Sequence, residues 1–180
     1  MKYFAVQIHT TKENLYIDSI LKKLTHRTDR QRFIFPKRRL QIRKAGKNSF
    51  VMEPLFPGYI FLEIETDSLD NELYNIMRKT PHFFRFLPNN QDIHSLEGRD
   101  LTILSHFLQF GEVADLSQVY FDENDRIVVK TGPLQGLEGQ IIRVDRRKQR
   151  AKVRLDFSEH SFTMDLGFEV INRANQENAK

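Results

Sequence analysis

The stretch at residues 125–155, DRIVVKTGPLQGLEGQIIRVDRRKQRAKVRL, changes character partway along. Gly132, Pro133, Gly136 and Gly139 come in quick succession, and strand-like sequence crowded with Arg and Lys follows. Glycine adopts backbone angles that side chains disfavour and lets neighbouring backbone approach. The glycines therefore read as a structural turn, with Leu134 and Leu137 packing behind it. A phosphate-binding P-loop would end in Gly-Lys-Ser/Thr and open a helix. Here the glycines run into QIIRVD, a β-branched strand, which argues against nucleotide binding. Ile141, Ile142, Val144, Val153 and Leu155 suffice for a small core. Arg143, Arg146, Arg147, Lys148, Arg150, Lys152 and Arg154 must then point outward or sit in the connecting loop. Alternation sets Lys152 and Arg154 on the strand face opposite Val153 and Leu155.

Around this stretch the runs RIVVKT, GQIIRVD, AKVRLDF, SFTMDL and FEVI predict five short strands, the pattern of a small barrel over residues 125–173. Residues 174–180 are polar and read as a flexible tail. Upstream, residues 111–124 are acidic and aperiodic and read as a linker. Residues 1–110 read as β-α-β-β-β-α-β-α, an α+β domain with a largely antiparallel sheet and flanking helices. Its first helix places Ile17, Ile20, Leu21 and Leu24 on one face. Thr10 and Glu13 suggest a capping box at its start, and Lys22, Lys23 and His26 suit its C-terminal end. Residues 44–49 read as a hairpin turn, and Pro36 as a strand end or edge. Ser68 is a candidate N-cap for a helix with Leu69, Leu73 and Ile76 on one face. A third helix follows, weakened by Gly98 near its start.

The chain has 180 residues and a net charge of only +4, but the charge is segregated. Residues 27–47 hold nine Lys or Arg against one acid, residues 53–124 are net −9, and residues 143–154 hold seven bases against Asp145. Such asymmetry suits a polyanion on one face and a different partner on another. With no cysteine, disulfides and thiolate metal sites are excluded. The six histidines are scattered, with no HExxH or paired spacing. No Gly-x-Ser-x-Gly elbow occurs. The composition reads as a binding protein rather than an enzyme, with no cofactor. No apolar run approaches the roughly 18 residues of a membrane span, and the N-terminus lacks signal-peptide character. A cytoplasmic monomer with no membrane partner is expected.

Two stretches carry a family resemblance. PLFPGYIFLEIE, residues 54–65, with the strand YFAVQ upstream, resembles the N-terminal (NGN) domain signature of NusG transcription factors. Residues 125–155 look like a KOW motif in an SH3-like barrel. The run GPLQGLEGQIIRVDRRKQRAKV and the ending MDLGFEVI are most similar to the LoaP branch, whose members act as antiterminators. The resemblance implies docking on the clamp helices of the largest RNA polymerase subunit, through an aromatic-lined cavity. The matching positions are Tyr3, Phe4, Phe56, Pro57 and Tyr59, although Phe4 on an alternating strand could equally belong to the core. Arg38, Arg39, Arg43, Lys44 and Lys47 either lie near upstream DNA or form a solvated hairpin. The basic KOW residues would bind a hairpin in the nascent leader RNA. In the alternative, a general NusG factor, the barrel contacts Rho or ribosomal protein S10 through apolar residues such as Phe157 and Phe162.

Overall fold

The computed structural model describes residues 1–24 and 31–171. In chain order the elements are β1 (Lys2–Ile8), α1 (Glu13–Lys23), β2 (Gln31–Ile34), β3 (Lys37–Lys44), β4 (Lys47–Pro54), β5 (Tyr59–Ile64), α2 (Asn71–Lys79), β6 (Phe83–Phe86) and α3 (Gly98–Leu108). Then come β7 (Val113–Ala114), β8 (Ser117–Phe121), β9 (Ile127–Thr131), a 3-10 turn (Glu138–Gln140), β10 (Ile141–Asp145), β11 (Arg150–Phe157) and β12 (His160–Val170). The α+β expectation holds. His26 and the expected tail at 174–180 lie outside the described residues. The chain packs as two compact units, residues 1–36 with 56–103, and residues 37–55 with 104–180.

The first unit is a four-stranded antiparallel sheet in the order β2-β5-β1-β6. One face carries Phe4, Val6, Ile60, Leu62 and Phe86, buried with Tyr16 and Ile20 of α1 and Leu73 and Met77 of α2. The capping expectations shift in register. Lys12 precedes α1 without a side-chain cap. Glu13 is instead buried, and its carboxylate accepts the Gly58 N–H at 2.9 Å. A buried carboxylate needs such a donor to remain stable. Asp70, not Ser68, caps α2 by accepting from the Glu72 N–H at 3.1 Å. Asp70 occupies the N-cap position itself, and its charge also faces the positive end of the helix dipole.

Tyr16 is fully buried and donates its hydroxyl to the Met77 carbonyl at 2.8 Å. Burial pushes its phenol well above its ordinary value of 10.0. The folded pKa is raised, so the stability it contributes is present below pH 10 and is lost as pH rises through the folded value. Stability should fall above pH 10 by up to about 1.4 kcal/mol per pH unit from this residue. Tyr16→Phe should flatten that alkaline slope in urea titrations, while costing about 1 kcal/mol at neutral pH from the lost hydrogen bond. An unchanged slope would refute the assignment.

The second unit departs from the expected linear layout. Its curled sheet has the order β10-β11-β12-β8-β9. SFTMDL and FEVI, read as two strands, are parts of the single strand β12. The fifth strand, β8, comes from the stretch read as a linker. It pairs in parallel with β12, Phe168 against Ser117 and Val170 against Val119. The acids of the stretch flank β8 rather than lie in it, and within its five residues Ser117 and Val119 are fully buried while Gln118 is exposed. The hairpin β3–β4 belongs to this unit too. β3 pairs with β7, and a Cβ on Gly167 of β12 would lie 2.8 Å from the Arg39 carbonyl of β3. Glycine at that position is what admits β3 against the barrel. Residues 45 and 46 both have positive φ and close the β3–β4 turn, the geometry that matches strand twist in two-residue hairpins.

The barrel core comprises Val119, Leu134, Leu137, Ala151, Val153, Leu155, Phe157, Met164, Leu166 and Phe168. Ile142 does not join it and is 47% exposed. The β10–β11 register slips between Ile141 and Arg143, which turns Ile142 outward. Gly132 has φ +96° and lies against Ser117. Gly136 has φ +84°, and Pro133 offers its carbonyl to the His106 ring at 2.8 Å. Gly139 fits neither expectation. It sits in the 3-10 turn without a left-handed φ and with no atom near an added Cβ, so backbone geometry does not require glycine there.

Candidate nucleic-acid and polymerase interfaces

Strand alternation sorts the five expected docking residues. Phe4 is 1% exposed and Phe56 is 2% exposed, so neither offers its ring to a partner. Phe4 lies in the helix-covered core. Phe56 packs edge-on against the buried Phe61, ring centroids 5.3 Å apart, and covers the other face of the sheet. That second face carries Tyr3, Gln7, Tyr59, Glu63 and Arg85, placed together by the pairings Tyr3↔Glu63, Gln7↔Tyr59 and Gln7↔Arg85. Tyr3 donates to Glu63 Oε1 at 2.8 Å, and Arg85 Nε donates to Gln7 Oε1 at 2.9 Å. Burial raises the phenols of both Tyr3 and Tyr59. A hydrogen bond to Glu63 adds to the effect at Tyr3, and Arg85 opposes it at Tyr59. Pro57 is exposed on the turn before β5. The structure thus brings together Tyr3 and Tyr59 on one face and removes Phe4 and Phe56 from it.

The seven basic residues of the barrel also divide. Arg146 donates to the Asp125 carboxylate at 2.9 Å and to its carbonyl at 3.0 Å, and its guanidinium lies 3.7 Å from the Phe121 ring centroid. Lys152 pairs with Asp165 at 2.9 Å. Arg150 is 3.7 Å from the same carboxylate and donates to the Gln41 carbonyl at 3.1 Å. Arg143, Arg147, Lys148 and Arg154 form no ion pair among the described residues. Asp145 fixes the turn itself by accepting the Lys148 N–H at 2.9 Å. The counter-charges that a crowded hairpin requires thus come from Asp125 and Asp165, whose roles only the tertiary pairing reveals.

This turn faces the tip of the β3–β4 hairpin across an open cleft of about 640 Å³. Arg146, Arg147, Lys148 and Arg150 line one side, and Arg43 lines the other with Gln41 and Asn48. No carboxylate lines the cleft, but Asp125 and Asp165 already pair with Arg146 and Arg150, so Arg43, Arg147 and Lys148 supply the uncompensated positive charge there. Of the other hairpin bases, Arg38 pairs with Glu53 and Arg39 with Asp115, each at 2.9 Å. The apolar contact expected of Phe157 is not available, since that ring is 4% exposed in the barrel core. Among the described residues no cluster of three or more His, Cys, Asp or Glu side chains could hold a metal. No described helix is long and apolar enough to cross a membrane.

These features define the class: an α+β unit with a small, basic, curled β-sheet after it. A family model for transcription termination factor NusG matches residues 1–105, more than half of the chain, and the chain belongs to the NusG family. The fold is that of an NGN domain with a KOW barrel. The transcription termination/antitermination protein NusG of Synechocystis sp. is 26% identical over 145 residues, covering 76% of this chain and 69% of the relative. Its counterpart from Thermus thermophilus is 26% identical over 144 residues, covering 75% and 76%. The solved structure of Thermotoga maritima NusG, reported for its domain interaction, superposes with a TM-score of 0.53 at 20% identity, covering 92% and 93% of the two chains.

Proposed function

We propose that this chain is an operon-specific antitermination factor of the LoaP type. Its N-terminal domain docks on the clamp helices of RNA polymerase, and its KOW domain, the barrel of β8 to β12, holds a hairpin in the nascent leader RNA. The observation that carries the RNA assignment is the turn at residues 146–150, which opens on a cleft lined by cations and no carboxylate. Arginine forks suit phosphate oxygens and guanine edges, and RNA helices are read by shape and at loops and bulges. In transcription by purified RNA polymerase through a terminator-containing leader, adding the protein should raise the full-length fraction. No change in readthrough on any leader taken from its neighbouring operon counts against the proposal.

The docking part rests on Tyr3, Pro57 and Tyr59. Interface energy concentrates in a few partly desolvated aromatic anchors. Tyr59→Ala should weaken retention on immobilised RNA polymerase about tenfold, the effect of losing roughly 1.4 kcal/mol. Wild-type retention of a folded Tyr59→Ala variant would move the contact off this face.

A further inference from the structure

The cleft does not end at the charged residues. Pairing within the β3–β4 hairpin sets Arg43 opposite Asn48, and Gln41 opposite Phe50. Directly paired residues project to the same face of a sheet, so Phe50, which does not itself line the cleft, shares a face with Gln41, Arg43 and Asn48, while Ile42 lines the cleft from the other face. Phe50 is 55% exposed, and Met52 beyond it is also exposed. The opposite face of the hairpin holds the buried Leu40, so the Phe50 face is the outer one. The Arg39 guanidinium sits 5.6 Å from the Phe50 centroid and is itself fixed by Asp115. A large exposed ring with a cation at its side, next to a cationic groove, has no role in the core.

We propose that the hairpin β3–β4 and the β10–β11 turn form one composite site for unpaired RNA nucleotides. Arg43, Arg147 and Lys148, which form no ion pair among the described residues, hold the phosphate backbone, and Phe50 stacks a base. The inference deepens the RNA-binding function above and rests on it. A positive groove that tracks the backbone beside an aromatic platform is the common chemistry of single-strand binding. The cleft volume, about 640 Å³, falls within the range of small-molecule sites. It admits one or two nucleotides rather than a duplex. Gln41 and Asn48 add amide donors and acceptors, which can meet base edges rather than phosphates. In a leader hairpin, the loop or the single-stranded flank would occupy this site.

The test uses the full chain and a fluorescently labelled, unstructured RNA of about ten nucleotides, within the span of a small single-strand site. A blunt RNA duplex of equal length serves as comparison. Anisotropy should show tighter binding of the single strand. Phe50→Ala should weaken it about tenfold with the salt dependence unchanged, since stacking of one base is worth roughly a factor of ten. Arg43→Ala should weaken it several-fold and reduce the salt slope by about 0.7, the loss of one phosphate contact. Lys130→Ala, a cation of β9 that does not line the cleft, should change affinity less than twofold. Phe50 and Arg43 are both exposed, so the variants should fold. If Arg147→Ala with Lys148→Ala weakens binding while Phe50→Ala and Arg43→Ala bind normally, the composite site is wrong and the barrel alone binds RNA. Duplex bound as tightly as the single strand also overturns it. If the wild-type chain binds neither RNA, the underlying assignment fails as well.

Discussion

Gly132→Ala is expected to destabilise the second unit by about 3 kcal/mol, the sum of a left-handed backbone penalty and an overpacked contact. Gly132 has φ +96°, and an added Cβ would lie 2.7 Å from Ser117 Cα and 3.0 Å from its hydroxyl. Neither atom can retreat. Ser117 is fully buried in β8, pairs with Phe168 and accepts the Leu134 N–H at 2.9 Å. The turn and the fifth strand are thus locked at one point, and a methyl group there must break either the hydrogen bond or the strand pairing. Urea unfolding should show a lower midpoint. Gly139→Ala provides the contrast, since it meets no neighbour within 4 Å, and should shift stability by no more than about 0.5 kcal/mol. Equal effects from the two substitutions would show that the turn is not held as described.

The triple variant Arg146→Ala, Arg147→Ala and Lys148→Ala should bind leader RNA about fiftyfold more weakly near 0.15 M salt. Each lost single-strand phosphate contact removes about 0.7 from the salt slope, which at that concentration is roughly a factor of four. Three contacts multiply to nearly two decades, and the slope itself should fall by about 2. Arg146 contributes fully only if it keeps its place on Phe121 and Asp125 while meeting RNA. A gel shift at several salt concentrations measures both quantities. An unchanged slope would remove these residues from any phosphate contact, whatever happens to affinity.

Several elements were legible from local pattern alone. The periodicity of Ile17, Ile20, Leu21 and Leu24 gave α1, although its most buried residues are Glu13, Tyr16 and Ile20. The glycine-rich turn, the basic hairpin after it and the α+β order also follow from local pattern. β8 did not, because its pairing partner lies about fifty residues away in β12. Local sequence does not encode which distant strand completes a sheet. The hairpin cleft was hidden for the same reason. Arg43 and Arg147 are distant in the chain, and only folding sets them around one space.

By itself the sequence determined residue periodicity, the absence of disulfide chemistry, the separation of charge and the backbone demands of Gly132. Those are properties of neighbours along the chain. Tertiary structure alone decided which aromatics face outward. Alternation assigns Phe4 and Tyr3 to opposite faces of β1, but both faces of this sheet are covered in part, one by helices and the other by Phe56. A period of two distinguishes the faces without saying which one meets solvent. The partners of the cations were decided in the same way, because an ion pair depends on distance in space: Asp165 lies opposite Lys152 in the β11–β12 pairing, and Asp125 meets Arg146 although the β8–β9 and β10–β11 hairpins do not pair.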